Sequence, residues 1–190
     1  MIKNNLFLKI TCLFAVVFFF GTQSCTKLGN NLHFTLKLQP PALSITIPAI
    51  PVVDSTNAIR GSTPYYFNVD SFIKAGTGNL LSIKNISNVK ITACNFNFTN
   101  ATTTNNWANF QNVNIAFHSD ANTSDFFINS GTIPDIFQST LSLPVDTTAD
   151  LSSYFKGNNF NYSIGGRMRR ITTDSLKCNI QLTFSVTVNG

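Results

Sequence analysis

The chain contains no glutamate: all eight of its acidic residues are aspartates, and charged residues make up only 11% of 190 positions. Without glutamate, helix capping boxes lose their usual acid and long amphipathic helices lose their commonest solvent-facing residue, so an α-helical bundle is disfavoured. Histidine occurs twice, tryptophan once and methionine twice. So few ligating side chains restrict metal chemistry, and so few charges restrict electrostatic partners. Hydrophobic residues reach 43%, which argues against a disordered chain and for a well-buried one. The net charge of +5 includes Lys3 and Lys9 near the N-terminus. Only Arg167, Arg169 and Arg170 cluster, which is too little for a nucleic-acid face.

The one long apolar run, Ile10 to Phe20, is too short to span a bilayer as a helix. Lys3 and Lys9 precede it, Gly21-Thr22-Gln23-Ser24 follows it, and Cys25 comes next. This is the order of an export signal's basic, apolar and cleavage regions. The Ser24-Cys25-Thr26-Lys27 junction resembles the lipoprotein signals of Bacteroidota, with Thr22 standing where a branched aliphatic residue is usual. The resemblance implies a signal peptide over 1–24, lipid on Cys25, a tether over 25–31 and a domain over 32–190. Thr26 is not the aspartate of the inner-membrane retention signal, and 26–31 carries no carboxylate of the kind that sends such lipoproteins to the surface. The implied address is the outer membrane, facing the periplasm. Cell-surface display, or ordinary cleavage near Ser24 giving a secreted protein, are the alternatives.

Downstream, apolar residues alternate with polar ones in short segments punctuated by proline, glycine and asparagine. Leu32 to Leu38, Leu43 to Ile47, Tyr65 to Val69, Val89 to Thr99, Val113 to Phe117, Phe126 to Ile128, Leu141 to Val145, Phe160 to Arg169 and Leu176 to Val188 read as strands. In the fourth, the apolar phase slips from Val89, Ile91 and Ala93 to Cys94, Phe96 and Phe98, the mark of a β-bulge. Short helical turns are expected after Asp70-Ser71 and after Asp150. The pattern predicts a single antiparallel β-sandwich, immunoglobulin-like or jelly-roll-like. The run from Asp150 to Gly157, with the strand, basic turn and closing strand after it, resembles the C-terminal part of many Bacteroidota lipoprotein sandwiches.

Cys94 and Cys178 are the cysteines left to the folded domain. Both fall on inward-facing positions of strands, so in an oxidising compartment they are disulfide candidates, against the alternative of two buried free thiols. They give no zinc-ligand spacing with His33 and His118. Asp120, Asn122 and Ser124 have the alternate spacing of calcium ligands but lack the glycine and terminal glutamate of a calcium loop. No metal or cofactor is therefore expected. No nucleophile elbow or Cys-His signature appears, and the expected role is non-enzymatic, structural or binding, with an envelope protein or glycan as partner. A glycan-binding module of a polysaccharide-capture system is the first alternative, with Trp107 as a stacking ring and Arg167 and Arg169 as contacts for acidic groups, although in a Phe-rich core a buried aromatic is the commoner case. The commoner reading of the same arginines is charge that guards an edge strand against pairing. A small secreted hydrolase, needing two facing aspartates, is the second. Asp54-Ser55-Thr56, Asp146-Thr147-Thr148 and Asp174-Ser175-Leu176 resemble the O-glycosylation acceptor pattern of Bacteroidota, which implies Ser55, Thr147 and Ser175 as modification sites.

Overall fold

The computed structural model describes residues 32–53 and 56–190. The expected signal peptide, Cys25, the expected tether and Ser55 lie outside the described residues. Nine strands, one α-helix and short 3-10 turns are found among the rest, and the strands form two antiparallel sheets around one hydrophobic core. This is the expected β-sandwich.

The long C-terminal strand β9 (Leu176–Asn189) organises the first sheet. On one side it pairs with β4 (Ile86–Phe98), which in turn pairs with β7 (Thr140–Leu143). On its other side lie β1 (His33–Leu38) and β2 (Leu43–Ile47), placed end to end against its two halves. Pro40 and Pro41 interrupt the ladder between them because proline has no N–H to give. Gln181 fills the gap by donating its side-chain amide to the Pro40 carbonyl at 2.7 Å. The second sheet runs β3 (Ala58–Tyr66), β8 (Asn159–Met168), β5 (Phe110–Ser119), β6 (Phe126–Asn129). With β1 and β2 taken as one broken strand, each sheet has four members, and every connection but β5 to β6 crosses between sheets. That order is a jelly roll and not an immunoglobulin fold.

The expected bulge is present. Ile91 faces Phe184 and Ala93 faces Thr183, so Thr92 is the extra residue, and its hydroxyl donates to the Thr183 carbonyl at 3.2 Å. Past it, Cys94, Phe96 and Phe98 turn inward and are almost fully buried. Other boundaries moved for identifiable reasons. β3 begins at Ala58, ahead of the expected Tyr65, because its first half is held by ladder bonds to β8 rather than by alternating apolar residues. The helix α1 (Val69–Gly76) starts before Asp70 because Asn68 accepts from the Ser71 amide as its N-cap. Asp70 instead accepts from the Ile83 amide and pairs with Lys74.

The disulfide expectation is corrected. Cys94 faces Leu182 and Cys178 faces Phe98, so the cysteines lie four residues apart along a shared ladder. At about 3.4 Å per residue that is roughly 14 Å, against a Cα separation of at most about 7 Å for a bridge. Both are free and buried, and burial pushes both thiols up to about 12. We expect no alkylation of the native domain at pH 8 and complete alkylation of both cysteines in denaturant without reductant. A cross-linked Cys94–Cys178 peptide in non-reducing mass spectrometry would contradict the register described here.

Candidate functional site

At the pole of the sandwich where β4 and β8 end and β5 and β9 begin, three connections enclose an open groove of about 710 Å³. Its wall and floor come from 103–109, 135–137 and 169–173, with Val53 closing one side. The floor is built from asparagine. Asn109 donates its side-chain amide to the carbonyls of Thr104 (2.9 Å) and Ile171 (2.6 Å) and accepts from the Asn106 amide. Asn106 donates to the Thr102 and Thr103 carbonyls and accepts from the Ala108 amide. Both are buried, and each replaces a missing backbone partner in a segment that has no strand beside it. The stretch that reads in sequence as a polar loop is thus a bonded scaffold.

Trp107 lies beneath the groove. Its ring stacks on Phe98 at 3.8 Å between centroids and on Phe96 at 5.5 Å, Phe110 lies tilted against it at 5.5 Å, and it has no solvent exposure. The indole N–H donates to the Ser139 carbonyl and the backbone amide to the Gln138 carbonyl, both at 3.1 Å. Trp107 therefore cannot stack on a sugar. It is a positioning residue that ties the wall carrying Ile136 and Phe137 to the core.

The arginines divide. Arg167 belongs to β8, between β3 and β5, so it guards no edge, and its side chain does not line the groove. Its backbone amide donates to Asn112 at 3.2 Å. Arg169 and Arg170 lie past the end of β8 and both line the groove. Arg169 spans it, donating to the carbonyls of Ala108 (3.1 Å) and Ile133 (2.7 Å). Arg170 donates to the Ala108 carbonyl at 3.0 Å and makes a two-pronged pair with Asp135. Asp135 is the one carboxylate in the lining, facing two guanidiniums. The rim is apolar and wet: Val53, Ile136, Phe137 and Ile171 are 51%, 65%, 57% and 45% exposed. Sequence patterning missed Asp135, Ile136, Phe137 and Ile171 because they sit in connections, where apolar periodicity carries no information.

Other candidates lie elsewhere. His118 Nδ1 meets Asp125 at 2.8 Å on β5, toward the opposite pole. Asp120 is engaged with the Asn158 amide and the Asn159 side chain, and the Asn159 bond is the main cause holding its carboxyl below the usual range. Asn122 bonds Ser124 and Ser153. Thr147 and Ser175 are exposed in connections.

No family model and no curated protein matches the sequence. Among solved structures, the chain is similar to one of desmodium yellow mottle tymovirus at 9% identity, covering 84% of this chain and 90% of that one, with a TM-score of 0.29. It is also similar to the decameric BFDV capsid protein at 13% identity, covering 83% and 100%, with a TM-score of 0.36. At such scores nothing about assembly or function passes to this chain.

Replacing Trp107 by alanine removes the stack and both the ring's volume and its N–H bond. We expect a loss of roughly 3–5 kcal/mol in denaturant unfolding, as for other large-to-small core changes. A loss near zero would mean that the ring is not packed as described.

Proposed function

We propose that the chain is a lipid-anchored, non-enzymatic binding protein of the cell envelope, attached to the outer membrane at Cys25 and facing the periplasm. It carries a polar-floored, apolar-rimmed groove on the pole turned away from the bilayer. The observation that carries this reading is the groove itself, where four exposed apolar side chains surround two arginines and one aspartate. Solvent-exposed apolar residues gathered around a few convergent polar groups are the usual signature of a recognition surface. An anchor at Cys25 would leave the groove at the far pole. The first strand begins at His33, opposite Asn189, whereas the groove adjoins Leu176. The 14 residues of β9 separate the two by about 45 Å, and a tether of seven residues reaches about 25 Å at most.

Cell fractionation tests the anchor. The native chain is expected in the detergent phase and the Cys25→Ser chain in the soluble periplasmic fraction; unchanged membrane partitioning would refute the lipid attachment. The same preparation tests Ser55, Thr147 and Ser175 as glycan acceptors, because its intact mass should exceed that of the lipidated chain and fall when the three become alanine.

A second reading, glycan capture, loses Trp107 but keeps one supporting observation. On the outward face of the second sheet, Asn57, Asn112, Asn114 and Asn129 line a hollow of about 240 Å³. Gly165 makes room there, since a Cβ would stand 2.5 Å from the Asn114 amide oxygen. Glycan-array binding abolished by Asn114→Ala would favour this reading, and binding unaffected by that change would remove it.

A further inference from the structure

Two guanidiniums against one carboxylate leave the groove with an excess of positive charge, and the two arginines are not equivalent. Arg169 is committed to two backbone carbonyls and is only 23% exposed on its side chain. Arg170 is 50% exposed, and its main acidic partner, Asp135, is 52% exposed. A half-exposed ion pair contributes little to stability, so Asp135 can yield or share the Arg170 fork at small cost. A carboxylate brought by a ligand would meet a preformed guanidinium held in place by the Ala108 carbonyl. Around it, apolar side chains arrive from three separate connections, at Val53, at Ile136 and Phe137, and at Ile171.

We propose that the groove docks an extended segment of a partner protein in which an aspartate or glutamate is flanked by apolar residues, the acid taking Arg170 and its neighbours covering the rim. The proposal rests on the groove being the binding site. Charge complementarity selects the acid, and the exposed rim selects a protein over a small amphiphile. A free carboxylate with a single chain would leave Ile136 and Phe137 in water, whereas a protein segment brings its own surface to cover them. Asp135 is then an internal stand-in for the ligand's acid. This gives its removal a sign: Asp135→Asn should tighten binding, because it leaves Arg170 unneutralised and removes a like charge from the path of the incoming acid.

The test uses the folded domain and two pools of acetylated, amidated heptapeptides. Each has Val, Ile, Leu, Phe or Thr at random around a central residue that is Asp in one pool and Asn in the other. The Asp pool is expected to bind roughly tenfold tighter than the Asn pool, a preference that weakens with salt. Asp135→Asn should raise the affinity for the Asp pool several-fold, and Arg170→Gln should erase the difference between pools while keeping the residual affinity for the Asn pool. Phe137→Ser should weaken both. Equal binding of the two pools, a loss on Asp135→Asn, or displacement of the Asp pool by octanoate would overturn the proposal while leaving the groove a binding site. Binding of either pool that survives both Arg170→Gln and Phe137→Ser would instead place the site outside the groove and overturn the groove reading as well. Unchanged thermal midpoints for the Arg170 and Phe137 variants are the control for folding.

Discussion

β9 is hydrogen-bonded on both edges, by β4 along one and by β1 and β2 along the other, and the rest of the molecule is arranged by that strand. Its inward residues Ile180, Leu182, Phe184, Val186 and Val188 are buried without a break. Phe184 meets Phe155 at 4.9 Å and Phe117 of the opposite sheet at 6.2 Å, so the strand that centres one sheet also contacts the other. A chain with so few charged residues depends on this kind of contact. Apolar burial and ladder bonds supply its stability, and the aromatic core fixes how the sheets face each other.

The scarcity of charge has a second consequence at the groove. Where a charged protein would hold irregular connections with salt bridges, this one uses side-chain amides, which supply a donor and an acceptor from one group. Asn105 donates to Thr173 and Asp174 while accepting from the Thr173 amide, Asn106 and Asn109 bond across the floor, and Arg169 takes two carbonyls. Losing one such partner leaves a buried carbonyl or amide unmet, at a cost of about 1–3 kcal/mol. The floor is thus held by side-chain bonds from Asn105, Asn106, Asn109 and Arg169.

The sandwich, most of its strands and the bulge at Thr92 were legible in the sequence because each rests on two-residue periodicity, a local property. What was not legible depends on register and on which connections meet. The two cysteines both face inward, as their strands' alternation implies, but only the pairing of Cys94 with Leu182 and of Cys178 with Phe98 reveals that they cannot join. The strand carrying Arg167 is central in place of edge, which no local pattern records. That Trp107 packs down is suggested by its place in a Phe-rich chain, but only the fold shows that its neighbours are Phe96, Phe98 and Phe110. The groove was the least visible part, since its rim is assembled from residues more than a hundred positions apart.

The jelly-roll order also bears on why such a groove would lie where it does. Crossing between sheets at nearly every connection sends the loops to the two ends of the sandwich, so each pole collects several segments distant in sequence. At the N-terminal pole α1 and the turn over Ile83–Asn85 cover the end of the core, Asn85 donates to the Asn189 carbonyl and the Gly190 amide bonds Leu32, while Leu80 and Tyr66 stay exposed. At the other pole the connections bond to one another through their backbones and leave apolar side chains outward. An anchor at the first pole would hold the second one away from the bilayer, with the exposed side chains facing the compartment instead of the membrane. What distinguishes the second pole is convergence, because apolar side chains from three connections meet there around one groove.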